Sequence, residues 1–253
     1  MNRIQKKLEE KKKLLSIYFT AGYPTTQDTI PILMALEKSG VDLIEIGLPF
    51  SDPLADGTTI QESAATALKN GMATEVIFNQ LKDVRKKITV PLLLMGYFNP
   101  ILQFGVENFC QKCYETGIDG LIIPDLPIQV YEEFYKNTFE KNGLIPIFLI
   151  TPQTDNERIN RIDSISDGFI YMVSNNGTTG AKKTFEKEQS EYFKRIFAMK
   201  LKHPQIVGFG ISNKDTFYQA TKFTSGAIIG SAFIQMLSRD GLGGIDAFIK
   251  SIR

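Results

Sequence analysis

The sequence repeats one short unit about eight times, and this repetition limits the possible folds more than any other feature. In each unit a short apolar run is followed by a turn and then by an amphipathic stretch. Such alternation predicts parallel strands that are joined by helices. The predicted strands are Leu15 to Phe19, Leu43 to Ile46, Pro91 to Met95, Gly120 to Ile123, Pro146 to Ile150, Gly168 to Met172, Ile206 to Gly208 and Gly226 to Ile229.

The stretches between the strands predict helices. They include Thr26 to Ser39, Ala73 to Lys86, Val130 to Lys141, Asn156 to Ile165, Glu188 to Lys200 and Asp215 to Lys222. Eight parallel units close most naturally into a (β/α)8 TIM barrel of the α/β class, whereas an open doubly wound sheet usually has fewer strands and a glycine-rich first turn. No linker interrupts the 253 residues, so we expect one domain that spans 1–253.

Composition excludes several classes of protein. Hydrophobic residues make up 43% of the chain, which is enough for a core, and 29 Lys and Arg balance 28 Asp and Glu. No overall field therefore attracts nucleic acid or an anionic membrane, and any phosphate must be bound locally. The sequence contains neither a signal peptide nor a segment of transmembrane length, so we expect a cytoplasmic protein with no nucleic-acid or membrane partner.

The thiols and the histidine offer little chemistry. Cys110 and Cys113 form a C-x-x-C in a predicted helix, but no second pair exists to complete a zinc site, so reduced helix thiols are favoured over a zinc or redox site. The one histidine, His203, lies at a helix-to-strand junction on the rim opposite the expected active site. We therefore predict no metal, and acid-base chemistry without a cofactor.

Two carboxylates are the candidates for that chemistry. Glu45 alternates with Leu43 in a strand, so an inward side chain would be desolvated and its pKa raised toward neutrality. Asp56 lies on the following loop, Glu45 to Gln61, where we expect it to be wetter and ionised. The alternative from composition alone is that Glu45 points outward to a cation, and that Asp52 and Asp56 only form turns.

Later loops are typical of a phosphate site. Val207 to Ser212 and Ile229 to Ala232 each end a strand and begin a helix, at matching places in consecutive units. Glycines there let the backbone approach an anion, and a helix N-terminus supplies free N–H groups. A third loop, Ser174 to Gly180, is polar, and we expect it to act as a lid.

These motifs resemble the tryptophan synthase alpha chain family. The loop Glu45 to Gln61 contains that family's F-S-D-P-x-A-D-G signature. Similar segments follow in order through essentially the whole chain, namely Phe19 to Gly22, Gly96 to Pro100, Pro124 to Pro127, Tyr171 to Gly180, Gly208 to Ser212 and Gly230 to Ala232. The resemblance implies a barrel with a short N-terminal helix. It also implies a lyase that splits indole-3-glycerol phosphate into indole and glyceraldehyde 3-phosphate, in a retro-aldol step of L-tryptophan biosynthesis.

The resemblance also assigns roles to individual residues. The catalytic residues would be Glu45, Asp56 and Tyr171. The phosphate ligands would be Gly180, Phe209, Gly210, Gly230 and Ser231, the indole pocket would be Tyr18, Met95, Tyr97, Pro124, Leu149 and Val173, and the lid would include Asn175, Gly177 and Thr179. Thr58 and Thr178 depart from the family, which commonly has Pro and Val there.

The resemblance further implies a partner. The family's alpha chain joins a tryptophan synthase beta chain in an α2β2 heterotetramer and needs no cofactor of its own. We expect the loops Pro49 to Gln61 and Asn99-Pro100 to form that contact. Another phosphate-binding barrel enzyme is the first rival interpretation, but it would not need the F-S-D-P-x-A-D-G loop. A catalytically weak binding partner and a lyase that works alone are further alternatives.

Overall fold

The computed structural model describes residues 1–10, 13–53, 56–174, 187–208 and 210–253, with the backbone alone at 187–189. All of its strands run parallel in one sheet. The strands are β1 (Leu14–Thr20), β2 (Leu43–Gly47), β3 (Leu92–Met95), β4 (Gly120–Ile122), β5 (Ile145–Ile147), β6 (Leu149–Ile150), β7 (Ile170–Val173), β8 (Gln205–Gly208) and β9 (Gly226–Ile229).

The sheet closes on itself as a barrel. Its order is β5-β4-β3-β2-β1-β9-β8-β7-β6, and the two ends of this order, β5 and β6, are separated in the chain by Phe148 alone. The first pairs with β4 and the second with β7, while the carbonyl of Phe148 accepts from the N–H of Tyr171 at 2.9 Å. The segment Pro146 to Ile150, which was predicted as one strand, thus forms parts of two strands with different neighbours. The predicted (β/α)8 barrel is confirmed.

Helices follow the strands on the outside of the barrel. They are α1 (Arg3–Glu10), α2 (Thr29–Lys38), α3 (Thr58–Lys69), α4 (Thr74–Leu81), α5 (Phe98–Phe104), α6 (Val106–Thr116), α7 (Ile128–Val130), α8 (Lys136–Lys141), α9 (Asn156–Ile165), α10 (Lys187–Ala198), α11 (Lys214–Ala220), α12 (Ser231–Asp240) and α13 (Ile245–Ile252). A π-helical turn at Tyr131–Tyr135 joins α7 to α8. Short 3-10 turns lie at Thr26–Asp28, Val84–Lys86 and Leu242–Gly244.

Local sequence explains where several helices begin and end. The carboxylate of Asp155 accepts from the N–H of Arg158 at 2.7 Å and starts α9, and Asn213 does the same for Thr216 at 3.0 Å to start α11. Helix α6 ends at Gly117, whose φ of +75° is a conformation that a side chain disfavours. Polar caps and a terminal glycine thus set the direction in which the chain returns to the sheet.

The apolar residues form two shells. One fills the space between the sheet and the helices, and the other lies inside the barrel, where it includes Leu43, Leu93, Ile147, Phe169 and Ile228. This arrangement follows from strand alternation, because successive side chains point to opposite faces. Residues one position away from an outward apolar residue therefore face the barrel interior.

Helix α1 closes one end of the barrel. The side chain of Ile4 is fully buried in the inner cluster, and the amide of Asn2 donates to the carbonyl of Asp119 at 2.9 Å. The carboxylate of Asp119 in turn binds Arg3 at 3.0 Å and also binds Arg85. These contacts seal the N-terminal ends of the strands, which leaves the C-terminal rim as the open end.

The thiols and the histidine lie away from that rim. Cys110 and Cys113 are buried free thiols on α6, and burial raises the pKa of Cys110 to about 12. His203 precedes β8 and lies 3.1 Å from a carboxylate oxygen of Asp163. No cluster of His, Cys, Asp and Glu within the described ranges suits a metal ion. None of the helices described combines the length and the apolarity that a membrane span needs.

Candidate active site

Glu45 is a carboxyl group inside the barrel. It lies on β2 between Tyr18 of β1 and Leu93 of β3, and its side chain is fully buried. One oxygen, Oε1, accepts a hydrogen bond of 2.7 Å from the hydroxyl of Ser16. No atom among the described residues hydrogen-bonds to the other oxygen, Oε2. The alternative that Glu45 points outward to a cation is therefore wrong.

The surroundings of Glu45 set its ionisation near neutrality. Burial raises its pKa to about 7, although the hydrogen bond from Ser16 lowers it. A carboxyl group with such a pKa can both give and take a proton at physiological pH. The sequence predicted this desolvation from the apolar neighbours of Glu45, and the geometry bears it out.

Asp56 lies at the rim, on the loop that follows β2. Its Oδ2 accepts a hydrogen bond of 3.1 Å from the hydroxyl of Tyr97, and its N–H donates to the carbonyl of Pro53. Burial raises its pKa to about 6, although the Tyr97 hydrogen bond lowers it. The carboxyl group is therefore drier than expected, but it is still mostly ionised at neutral pH.

Two buried tyrosines lie between the carboxylates and the later loops. The rings of Tyr18 and Tyr171 both belong to the inner cluster, and burial raises the pKa of each hydroxyl so that it stays neutral. A Cβ at Gly47 would overlap the hydroxyl of Tyr18, and a Cβ at Gly208 would overlap that of Tyr171. The two glycines therefore provide the space that these phenol groups occupy.

A small cavity opens beside Asp56. It is lined by Tyr18, Leu48, Asp56, Met95, Gly96, Tyr97 and Pro124. Four of the six residues predicted for an indole pocket are in this set. The other two, Leu149 and Val173, pack against the inner cluster beside Tyr171 and Gly208 instead. Glu45 is not one of the lining residues, but it is next to one of them, Tyr18, in the sheet.

The predicted phosphate loops meet at the same rim. Gly230 is the N-cap residue that precedes α12 and provides no side-chain cap, whereas α11 is capped by Asn213. Among the described residues no cap therefore occupies the first N–H groups of α12, and they can bind an anion. Ser231 is the first residue of α12, and a Cβ at Gly230 would lie 3.3 Å from the Tyr18 ring. Gly210 has a φ of +74°, which favours glycine whatever it binds.

Several predicted positions lie outside the described residues. They are Phe209, Gly180, and the lid residues Asn175, Gly177 and Thr179, together with Thr178. Their roles therefore stay predictions.

Sequence reasoning missed three residues of the site. Ser16 binds Glu45, and its inward position in β1 could have been read from its alternation with Tyr18. Leu48 and Gly96 line the cavity, but each follows the end of a strand, where alternation gives no guide. The sequence placed Tyr97 in the pocket without showing that its hydroxyl holds Asp56.

Comparison with known proteins shows the family of the chain. The sequence model of the family described as tryptophan synthase alpha chain matches residues 4–247. The chain belongs to the tryptophan synthase alpha chain family. The tryptophan synthase alpha chain of Flavobacterium psychrophilum is 64% identical over 252 residues, which cover 100% of both chains. The predicted family is thus confirmed.

Solved structures of the family share the fold. A chain of Mycobacterium tuberculosis tryptophan synthase superposes with a TM-score of 0.90 at 29% identity, covering 99% of this chain and 96% of that one. A chain of the Pyrococcus furiosus tryptophan synthase complex gives 0.86 at 33% identity, covering 96% and 98%. Tryptophan synthase alpha chains therefore keep this barrel across distant sequences.

Proposed function

We propose that this chain is the lyase that cleaves indole-3-glycerol phosphate to indole and glyceraldehyde 3-phosphate, the alpha reaction of tryptophan biosynthesis. Family membership supports the reaction. The observation that carries the mechanism is a carboxyl group inside the barrel, Glu45, whose pKa is about 7. It lies next to Tyr18, which lines a cavity together with the second carboxyl group, Asp56. Two acids in different surroundings can divide acid-base work between them.

The chemistry requires a proton at the indole ring. Breaking the bond between indole C3 and the glycerol carbon would expel an unstable carbanion, so C3 must first be protonated. Glu45 donates this proton and takes one from the glycerol hydroxyl as the aldehyde forms. Its pKa near neutrality suits it to both steps.

Asp56 stabilises the charge that protonation creates. Protonation at C3 leaves positive charge on the indole nitrogen, and an ionised carboxylate that accepts from its N–H offsets that charge. The hydroxyl of Tyr97 holds Asp56 in place at 3.1 Å, and both residues line the cavity that would take the indole ring. Tyr171, whose hydroxyl lies beside Gly208 inside the barrel, is proposed as the third catalytic residue.

The phosphate of the substrate binds at the start of α12. Gly230 and Ser231 offer backbone N–H groups and a hydroxyl, and Gly210 comes from the neighbouring loop. Phe209, Gly180 and the lid residues Asn175, Gly177 and Thr179 are proposed to complete this site. Fixing the phosphate keeps the reacting carbon near Glu45, which lowers the entropic part of the barrier.

The chain works as the partner of a tryptophan synthase beta chain, as the complex from Pyrococcus furiosus suggests. We propose that the loops Pro49 to Gln61 and Asn99-Pro100 form the contact. Asn99 is exposed at the start of α5, where Leu102 is also 52% exposed. The same helix follows Tyr97 directly, so a partner that binds α5 acts on the residue that holds Asp56.

Two further points about the chain belong to the proposal. The residues 1–253 form one domain, because α1 seals one end of the barrel and α13 packs its Ile245, Ile249 and Ile252 into the outer shell. The chain works in the cytoplasm, where tryptophan biosynthesis supplies its substrate.

One assay tests the reaction against its rivals. Purified chain is incubated with indole-3-glycerol phosphate, with and without a beta chain, and indole is followed over time. We expect indole in both cases and more of it with the beta chain. An indole release rate that does not change when the beta chain is added would favour a lyase that works alone. If no indole forms under either condition, only a binding role would remain.

A further inference from the structure

Ser16 is a polar residue at an unusual place in the barrel. It lies on β1 with its side chain fully buried, and its neighbours in the sheet are the apolar residues Leu43 of β2 and Ile228 of β9. Its hydroxyl donates to Oε1 of Glu45 at 2.7 Å. A buried hydroxyl costs free energy unless it is hydrogen-bonded, so packing alone does not favour serine here. The carboxyl group of Glu45 accounts for its presence.

The hydrogen bond makes the two oxygens of Glu45 unlike. Oε1 is occupied by Ser16, while Oε2 has no hydrogen-bond partner among the described residues, although it is fully buried. A buried acceptor without a hydrogen-bond partner costs free energy. Without the bond from Ser16, the carboxyl group of Glu45 would be free to rotate. The Ser16 bond restricts that rotation, so the unoccupied oxygen keeps one orientation.

We propose that Ser16 is a positioning residue for Glu45, which fixes Oε1 so that Oε2 is the oxygen that exchanges the proton with the substrate. The inference rests on the catalytic role proposed for Glu45. Ser16 touches no reacting atom. It acts through the carboxyl group by holding its orientation and by favouring its ionised form, because a donated hydrogen bond stabilises the anion.

Among the residues that the structure describes, few other groups near Glu45 can titrate. Tyr18 of β1 and Tyr171 of β7 face it, and burial raises the pKa of both hydroxyls, so they stay neutral. Leu93 of β3, its other neighbour in the sheet, carries no charge. Asp56 at the rim is the other carboxyl group that acts on both tyrosines, and its pKa is about 6. The pH dependence of activity should therefore reflect the titration of two carboxyl groups, Glu45 and Asp56. Of these two, Glu45 is the one that contacts Ser16.

The test compares variants of the chain in complex with its beta chain. Ser16→Ala removes the donor, and Ser16→Cys keeps a weaker one in nearly the same volume. Ser166→Ala is the matched control, because Ser166 is also a buried serine, but its hydroxyl donates to the backbone carbonyl of Ile162 at 2.8 Å and not to the carboxyl group of Glu45. Glu45→Gln shows which infrared bands and which pH-dependent changes in rate belong to Glu45.

Two readouts separate positioning from general damage to the fold. Infrared difference spectra between acidic and alkaline buffer give the pKa of the Glu45 carboxyl directly. The pH dependence of kcat/KM for indole release gives the apparent pKa in turnover. We expect Ser16→Ala to raise both by about one pH unit and to lower kcat about tenfold with little change in KM. Ser16→Cys should lie in between, and Ser166→Ala should change neither.

The outcomes distinguish this inference from the proposed function. If Ser16→Ala and Ser16→Cys both fold and leave the Glu45 pKa and kcat unchanged, Ser16 is not a positioning residue. If the Glu45 pKa rises in Ser16→Ala but kcat does not fall, the positioning claim is wrong as well. Near-normal turnover by Glu45→Gln would instead overturn the role proposed for Glu45 itself.

Discussion

The buried carboxyl group of Glu45 lowers the free energy of unfolding at alkaline pH. Its pKa in the folded chain is about 7, whereas the ordinary value is 4.5, so the folded state holds this proton more tightly than the unfolded state does. The stabilisation from the bound proton is complete below the ordinary pKa and is lost as pH rises through about 7. Above that pH the chain carries a buried charge with one hydrogen bond.

Glu45→Gln should therefore make the chain more stable in alkaline buffer. The amide keeps the shape but cannot ionise, so we expect its free energy of unfolding at pH 8 to exceed that of the natural chain by about 3 kcal/mol. The difference should disappear near pH 4.5. Urea unfolding across this range measures it, with Glu62→Gln on the exposed face of α3 as the control. Equal stability of the natural chain and Glu45→Gln at pH 8 would show that Glu45 is not desolvated.

Strands and helices were largely predictable from the sequence, while contacts between loops were not. Apolar runs and helical periodicity placed every strand of the barrel, because both patterns are local. The division at Phe148 was not predictable, since it depends on which neighbour each half of the strand meets. The hydrogen bond from Tyr97 to Asp56 joins residues 41 apart in sequence on two loops, so no local pattern reveals it.

Helix α12 allows a test at the level of a single element. Ser231→Ala removes one hydroxyl at its first position and keeps the backbone N–H groups. We expect KM for indole-3-glycerol phosphate to rise about tenfold with little change in kcat or in Tm, because the lost contact is to the phosphate and not to the reacting atoms. Ser212→Ala, on the loop before the capped helix α11, is a comparison within the same rim. An unchanged KM for Ser231→Ala would argue against a phosphate contact from this hydroxyl.

A series of contacts links the exposed helix α5 to Asp56. Helix α5 begins directly after Tyr97, whose hydroxyl binds Asp56, and the N–H of Phe98 donates to the carboxylate of Asp125 at 2.9 Å. The loops after β2, β3 and β4 are thus tied together at the rim. A partner that orders α5 would therefore order the carboxylate as well, which lowers the barrier by assembling the site in advance.

Two variants should separate binding of the beta chain from its effect on catalysis. Asn99→Asp adds a charge at the exposed start of α5, so we expect weaker binding but full activation at saturating beta chain. Tyr97→Phe keeps the ring and loses the bond to Asp56, so we expect normal binding with most of the activation lost. Ultracentrifugation and indole release measure the two effects. Full activation of Tyr97→Phe would exclude this path.

Single-turnover indole release measures whether Glu45 and Asp56 carry out the chemistry. With the beta chain saturating, we expect Glu45→Gln to slow cleavage by about 10² to 10⁴-fold, because general acid-base catalysis contributes about that much. Asp56→Asn should also be severely slowed, while Asp52→Asn, an exposed acid on the same loop, should stay within a few-fold of the natural rate. A Glu45→Gln variant that folds, binds the beta chain and still cleaves indole-3-glycerol phosphate at a near-normal rate would show that Glu45 does not transfer the proton.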